Sequence, residues 1–170
     1  EPASGGSPAA STFVGERTLA SPRTGLVWAE YFEPRLKSEI ERAAAADQDL
    51  CLARIVFDSP PAGEALLELT AFVARALKDS LPVADLAFEG GPASLTLILP
   101  DTDVDQATRS LDGFRRSAAT VVAEKGSRLS IGASSRGGRL VDGETLVEEA
   151  DVAARKASRE GGNRVIGFRA

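Results

Sequence analysis

Residues 86–100, LAFEGGPASLTLILP, constrain the fold more than any other part of the chain. Apolar residues 86–88 lead into Gly90, Gly91 and Pro92, and Leu95, Thr96, Leu97, Ile98 and Leu99 follow as a β-rich run. This reads as strand, tight turn, strand. The run is far shorter than the roughly 20 apolar residues of a membrane-spanning helix. It is also too apolar for a surface loop, so it is expected to be a central strand. Helical patterns before and after it predict helices covering the sheet.

Residues 1–12, EPASGGSPAAST, have linker composition, and residues 13–20 read as a short strand or an extended lead-in. A flexible linker over 1–20 and a domain over 21–170 are therefore expected. Phe32, Leu36, Ile40 and Ala43 predict a helix over 28–46 that exits at Asp47-Gln48. Residues 50–57, LCLARIVF, end at Asp58 and read as a strand buried on both faces, with Cys51 a buried strand residue. After the break at Ser59-Pro60-Pro61-Ala62-Gly63, a second helix to about 79 carries Leu66, Leu69, Val73 and Leu77 on one face, and Pro82 stops it.

Past Pro100, Asp101 is the expected N-cap, with Asp103 and Asp105 near the positive end of the helix dipole. That helix carries a core stripe of Val104, Ala107, Leu111, Phe114, Ala118 and Val121. Residues 128–134 read as a strand and Arg136-Gly137-Gly138-Arg139 as a turn. A last helix over 143–160 buries Leu146, Ala150, Ala153 and Ala157, and its alanines imply close approach to the sheet. Gly161-Gly162-Asn163 caps it, and 164–168 close the fold as a strand. The order α-β-α-β-β-α-β-α-β contains β-α-β-β-α-β, the ferredoxin-like plan of an α/β (α+β) fold. With 170 residues, 43% of them hydrophobic, one domain is expected.

Composition removes whole classes of chemistry. The chain has no histidine, so neither a Ser-His-Asp nor a Cys-His nucleophile system can be built. A single cysteine, Cys51, excludes an intrachain disulfide and an all-thiolate zinc site, and fits a reducing compartment. Acidic residues outnumber basic ones 25 to 20, against a general binder of nucleic acid or anionic membrane. There is no signal-peptide pattern, and the absence of methionine points to a piece of a longer protein.

Local motifs are weaker than they look. Asp101-Thr102-Asp103-Val104-Asp105 starts like an EF-hand, but Gln106 and Asp112 stand where glycine and glutamate are needed. The turn between Glu89 and Ser94 lacks the Gly-Lys-Ser/Thr of a P-loop. Arg109, Arg115, Arg116, Lys125, Arg128, Arg136 and Arg139 form a basic stretch with only Phe114 aromatic, so it reads as a solvated face without a stacking platform. Trp28, near the helix entrance, reads as packing or as a partner anchor.

From Ser21 to Phe168 the chain resembles the GGDEF domains of bacterial diguanylate cyclases. The resemblance rests on Thr24-Gly25-Leu26 with Tyr31-Phe32, on Leu129-Ser130-Ile131-Gly132, on Ala150-Asp151 with Ala153 and Ala157, and on Glu160-Gly161-Gly162-Asn163-Arg164-Val165. It implies a nucleotidyl-cyclase-type core with a mainly antiparallel central sheet flanked by helices. It also implies an activity, the joining of two GTP molecules into cyclic di-GMP by two facing domains. That phosphoryl transfer needs divalent metal ions held by carboxylates.

The same resemblance places the five signature positions on Gly91, Pro92, Ala93, Ser94 and Leu95, with the metal-binding acid at Ala93 and the next acid at Ser94. Reading Gly90-Gly91 as the glycine pair puts Pro92 and Ala93 at the acids instead. Neither register supplies a carboxylate. The second metal ligand falls on Val56, leaving Asp58 alone at the end of the strand. The guanine-binding segment shrinks to Ser59, Pro60, Pro61 and Ala62 before Gly63-Glu64, and the phosphate-binding lysine falls on Ser158. Lys156 lies about 200° away around the helix. The inhibitory Arg-x-x-Asp falls on Pro82 and Asp85, so only its aspartate remains.

These readings predict a degenerate, non-catalytic GGDEF domain without a cofactor. It is expected in the cytoplasm, as an interaction or dimerisation module of a larger bacterial protein. Its expected partner is a protein or a second copy; nucleotide and nucleic acid are not expected, nor is direct membrane insertion. The alternatives are a regulatory receptor for GTP or cyclic di-GMP, and residual turnover through a metal site of Asp58 and Glu64.

Overall fold

The computed structural model describes residues 18–83 and 85–169. Residues 1–17, most of the expected linker, lie outside the described residues. A five-stranded sheet is covered on both faces by four helices. In chain order the elements are α1 (Phe32–Ala46), β1 (Leu50–Asp58), α2 (Glu64–Ser80), β2 (Ala87–Glu89), β3 (Ser94–Pro100), α3 (Val104–Glu124), β4 (Arg128–Ser135), α4 (Gly143–Arg159) and β5 (Arg164–Gly167). The spatial order is β2-β3-β1-β4-β5. β1 runs antiparallel to both neighbours, β2 antiparallel to β3, and only β4 and β5 are parallel. The ferredoxin-like plan and the mainly antiparallel sheet are therefore present.

The run 95–99 is paired on both edges but lies one place off centre; β1 is the central strand. Alternation along β1 divides the core in two. Cys51, Ala53, Ile55 and Phe57 join the cluster with Leu69, Val73 and Leu77 of α2 and Ala107, Leu111 and Phe114 of α3. Leu50 and Leu52 join the opposite cluster, with Leu36 and Ala43 of α1 and Leu146 and Ala150 of α4.

Several boundaries differ from expectation for local reasons. The first helix starts at Phe32 after a 3₁₀ turn, Ala29–Tyr31, while Trp28 is extended. Pro34 explains this, because its ring would clash with the Glu30 carbonyl in a continuous helix. The N-cap of α3 is Asp103, not Asp101. Asp103 accepts from Gln106 N at 2.8 Å, the Gln106 side chain accepts from Asp103 N, and Asp101 is left-handed with φ of 52°. This reciprocal box satisfies two free helix donors, which a lone aspartate cannot do. The α3 stripe continues to Val122, with Val121 only half-buried. At the N-terminal side, Ala20 bridges Val27, although residues 18–20 were counted with the linker.

The alanines of α4 do bring it against the sheet. A Cβ added at Gly132 of β4 would lie 2.2 Å from Ala154 N and 2.3 Å from Ala150 O. Backbone cannot yield as a side chain can, so Gly132→Ala is expected to destabilise the domain by about 3 kcal/mol. Chemical denaturation followed by circular dichroism measures this.

Candidate functional site

The expected site lies where the end of β1, the β2–β3 turn and the C-terminal half of α4 meet. The turn is built from backbone. Gly90 N donates to Ser94 O at 3.2 Å, and Phe57 N donates to Ala93 O at 3.0 Å. Ser94 Oγ donates to Gly90 O at 2.7 Å. Gly91 adopts φ of 102°, which glycine permits, and Ala93 is held at 61°, at a cost of about 1 kcal/mol. Gly91 and Pro92 are exposed, Ala93 and Ser94 half-buried, and Leu95 fully buried.

Asp58 is held by two hydroxyls. Ser158 Oγ of α4 donates to Asp58 Oδ1 at 2.7 Å, and Ser130 Oγ of β4 donates to Oδ2. Ser127 Oγ binds the Asp58 carbonyl at 2.7 Å. A Cβ on Gly162 would sit 2.7 Å from Asp58 Oδ2, so this glycine lets the chain pass against the carboxylate. Each carboxylate oxygen thus accepts a hydrogen bond that ties β1, β4 and α4 together.

Of the two acids considered for a metal site, Glu64 pairs with Arg23, while Asp58 is engaged by Ser130 and Ser158. Among the described residues there is no group of three or more His, Cys, Asp or Glu able to hold a metal ion. A divalent cation takes six or more oxygen ligands, carboxylates prominent among them. Val56, Ala93 and Ser94 do not fit that role.

Beneath the turn lies a network that sequence reading missed. Arg54 Nε donates to Asp151 Oδ1 at 2.8 Å, and its NH1 donates to Thr96 Oγ1 at 2.6 Å. A Cβ on Gly90 would come within 2.7 Å of that guanidinium. The signal was a single charge in the apolar run of β1, which cannot be buried without a partner. Glu39, 5% exposed, was missed as well; it is held by Arg35 and Arg42.

The remaining expected residues lie apart. Asp85 is exposed and pairs at 3.5 Å with Arg35 of α1, an arginine from outside its own segment. Trp28 is half-buried, and its Nε1 donates to Thr18 O at 3.0 Å. Lys156 is exposed on α4. Arg139 grips Glu149 through two bonds of 2.9 and 2.8 Å, and this hydrogen bonding holds the Glu149 carboxyl below its ordinary range.

No model of a known protein family matches this sequence. A curated protein of Treponema pallidum (strain Nichols), described as an uncharacterized protein, is 30% identical over 102 residues. That match covers 59% of this chain and 56% of the Treponema protein, so the chain spans about half the length of the relative it matches. Solved structures are more informative about architecture. The GGDEF domain of DgcB from Caulobacter crescentus, in complex with c-di-GMP, superimposes with a TM-score of 0.80 at 19% identity, covering 91% of this chain and 96% of that one. The active GGEEF domain of a diguanylate cyclase from Vibrio cholerae gives 0.74 at 21%, covering 90% and 99%. Diguanylate cyclase SiaD from Pseudomonas aeruginosa, in complex with its activator SiaC, gives 0.77 at 24%, covering 92% and 64%. These likenesses define an α/β sheet domain with helices on both faces. More narrowly, this chain has the GGDEF-domain fold.

Two outcomes follow from the site. Asp58→Ala leaves two hydroxyls without their acceptor and is expected to cost about 2 kcal/mol in denaturant-induced unfolding. Burial pushes the Cys51 thiol from 9.0 up to about 12. The folded state therefore favours the protonated thiol; that contribution is complete below pH 9 and fades as pH rises towards 12. Labelling of Cys51 by a thiol reagent at pH 9 is expected to proceed only at the rate of unfolding.

Proposed function

We infer that this chain is a degenerate GGDEF domain without cyclase activity. It serves as a protein-interaction, dimerisation or regulatory module of a larger bacterial protein in the cytoplasm. The observation that carries this reading is Asp58. The one carboxylate left at the metal-binding end of β1 spends both oxygens on Ser130 and Ser158. The turn opposite offers only Ala93 and Ser94, and Ser158 stands where the resemblance places the phosphate-binding lysine. Such a site holds neither the cation nor the triphosphate that in-line attack on an α-phosphate requires.

A role in interaction draws support from the intact core beside that site, and from SiaD, a neighbour in fold solved with a protein activator. No helix among the described residues is long and apolar enough to cross a membrane. A second reading, a receptor that binds GTP or cyclic di-GMP without turnover, is favoured by the c-di-GMP complex of DgcB and by the retained Asp85.

Incubation with GTP and magnesium or manganese is expected to yield no cyclic di-GMP above a protein-free control. Turnover that disappears in Asp58→Ala would overturn the reading. Calorimetry with GTP and cyclic di-GMP separates the two roles. An absence of heat, together with self-association or partner binding in the ultracentrifuge, favours the interaction module; saturable heat favours the receptor.

A further inference from the structure

A groove of about 1120 Å³ runs between α1 and α4 and is lined as well by the loop over residues 136–142. Phe32, Leu36 and Ile40 of α1 line one side, and Val141 and Val147 the other. Leu140 stands at the mouth, 94% exposed, the most exposed of the large hydrophobic side chains described.

This loop is firmly anchored. Arg136 NH1 donates to Gln48 O at 3.0 Å, and Gly137 N donates to Asp49 Oδ1 at 2.9 Å. Arg139 is fixed on Glu149, and Asp142 caps α4 by accepting from Thr145 N at 2.8 Å. Leu140 is therefore displayed on ordered backbone beside an apolar trough.

The rim states the chemistry of the occupant. Glu33 and Glu41 on α1, with Glu144 and Glu148 on α4, are exposed and make no ion pair among the described residues. Lys37 and Arg155 are the cations on the same rim without such a pair; with Asp142, the cap of α4, five charges of one sign stand against two of the other. Glu33 and Glu41 lie about 12 Å apart along their helix, and Glu144 and Glu148 about 6 Å apart along theirs. Acid on both banks repels phosphate backbones and anionic lipid and attracts flanking lysine or arginine. The walls are helices, with no strand edge to offer backbone donors, so a third helix is the element that packs there.

We propose that the α1–α4 groove docks an amphipathic helix of a partner protein, with its apolar stripe on Ile40, Leu140 and Val147 and basic residues along both flanks. This deepens the interaction-module reading and rests on it. A second copy of the chain is disfavoured as occupant, because the chain carries a net charge of −5.

The test uses the full chain and three synthetic helical peptides of about 18 residues. One has a leucine stripe with lysine flanks, one the same stripe with glutamate flanks, and one the lysine composition with the stripe scrambled. Fluorescence anisotropy is expected to rank the first about tenfold tighter than either control. Amide shifts should concentrate on α1, residues 140–147 and the start of α4. Leu140→Asp, and separately Glu33→Lys with Glu41→Lys, are expected to weaken binding roughly fivefold while leaving the thermal melt unchanged. Equal binding of all three peptides, or shifts centred elsewhere, would overturn the proposal. So would dimerisation of the chain alone that Leu140→Asp abolishes, since it assigns the groove to a second copy. Cyclase turnover alongside correct peptide mapping would sink only the non-catalytic reading; failed mapping without turnover would sink only the groove.

Discussion

Strand β1 has protein on every side. Antiparallel partners take its hydrogen bonds on both edges, and helices cover both of its faces. Water is excluded from one face of the strand and restricted on the other, where Arg54, Val56 and Asp58 are half-buried, so polar groups there gain from partners within the fold. Cys51, Ala53, Ile55 and Phe57 meet this by being apolar. Arg54 and Asp58, on the other face, meet it through Asp151, Thr96, Ser130 and Ser158. These four partners come from β3, β4 and α4, so the needs of one strand fix the placement of most of the domain.

The functional reading descends from that constraint. An acid at the end of a central strand can serve as a metal ligand only if its oxygens face an open site with other oxygen donors nearby. Asp58 is half-buried, its two oxygens accept from two hydroxyls, and the backbone of Gly162 passes close by. Hydrogen bonds to a charged acceptor contribute roughly 1.5–3 kcal/mol each. The arrangement therefore makes Asp58 a structural tie between strand and helix.

Much of the fold was legible because its signals are local. The helical stripe through Ala107, Leu111 and Phe114 and the continuous apolar run of β1 depend on neighbours a few residues away. The misses were competitions between local rules: Pro34 against the stripe of α1, and the Asp103–Gln106 box against Asp101. The site was less legible. The residue types at Ala93, Ser94 and Val56 could be read one position at a time. That Asp58 meets Ser130 and Ser158 could not, because contacts separated by 72 and 100 residues exist only once the sheet is assembled. The partner of Arg54, 97 residues away, was hidden in the same way.

The β2–β3 turn shows how a fold can match a GGDEF domain at a TM-score of 0.80 with 19% identity. Its shape is held by Phe57 N on Ala93 O and Gly90 N on Ser94 O. Those main-chain bonds are indifferent to which side chains the turn carries. They are strong enough to keep Ala93 at a positive φ that alanine resists. Glycine is demanded where atoms crowd, as at Gly90 over Arg54, Gly132 against α4 and Gly162 against Asp58. Side chains at the tip can therefore change freely while the backbone keeps its course, so the outline of such a domain persists independently of the groups at its tip.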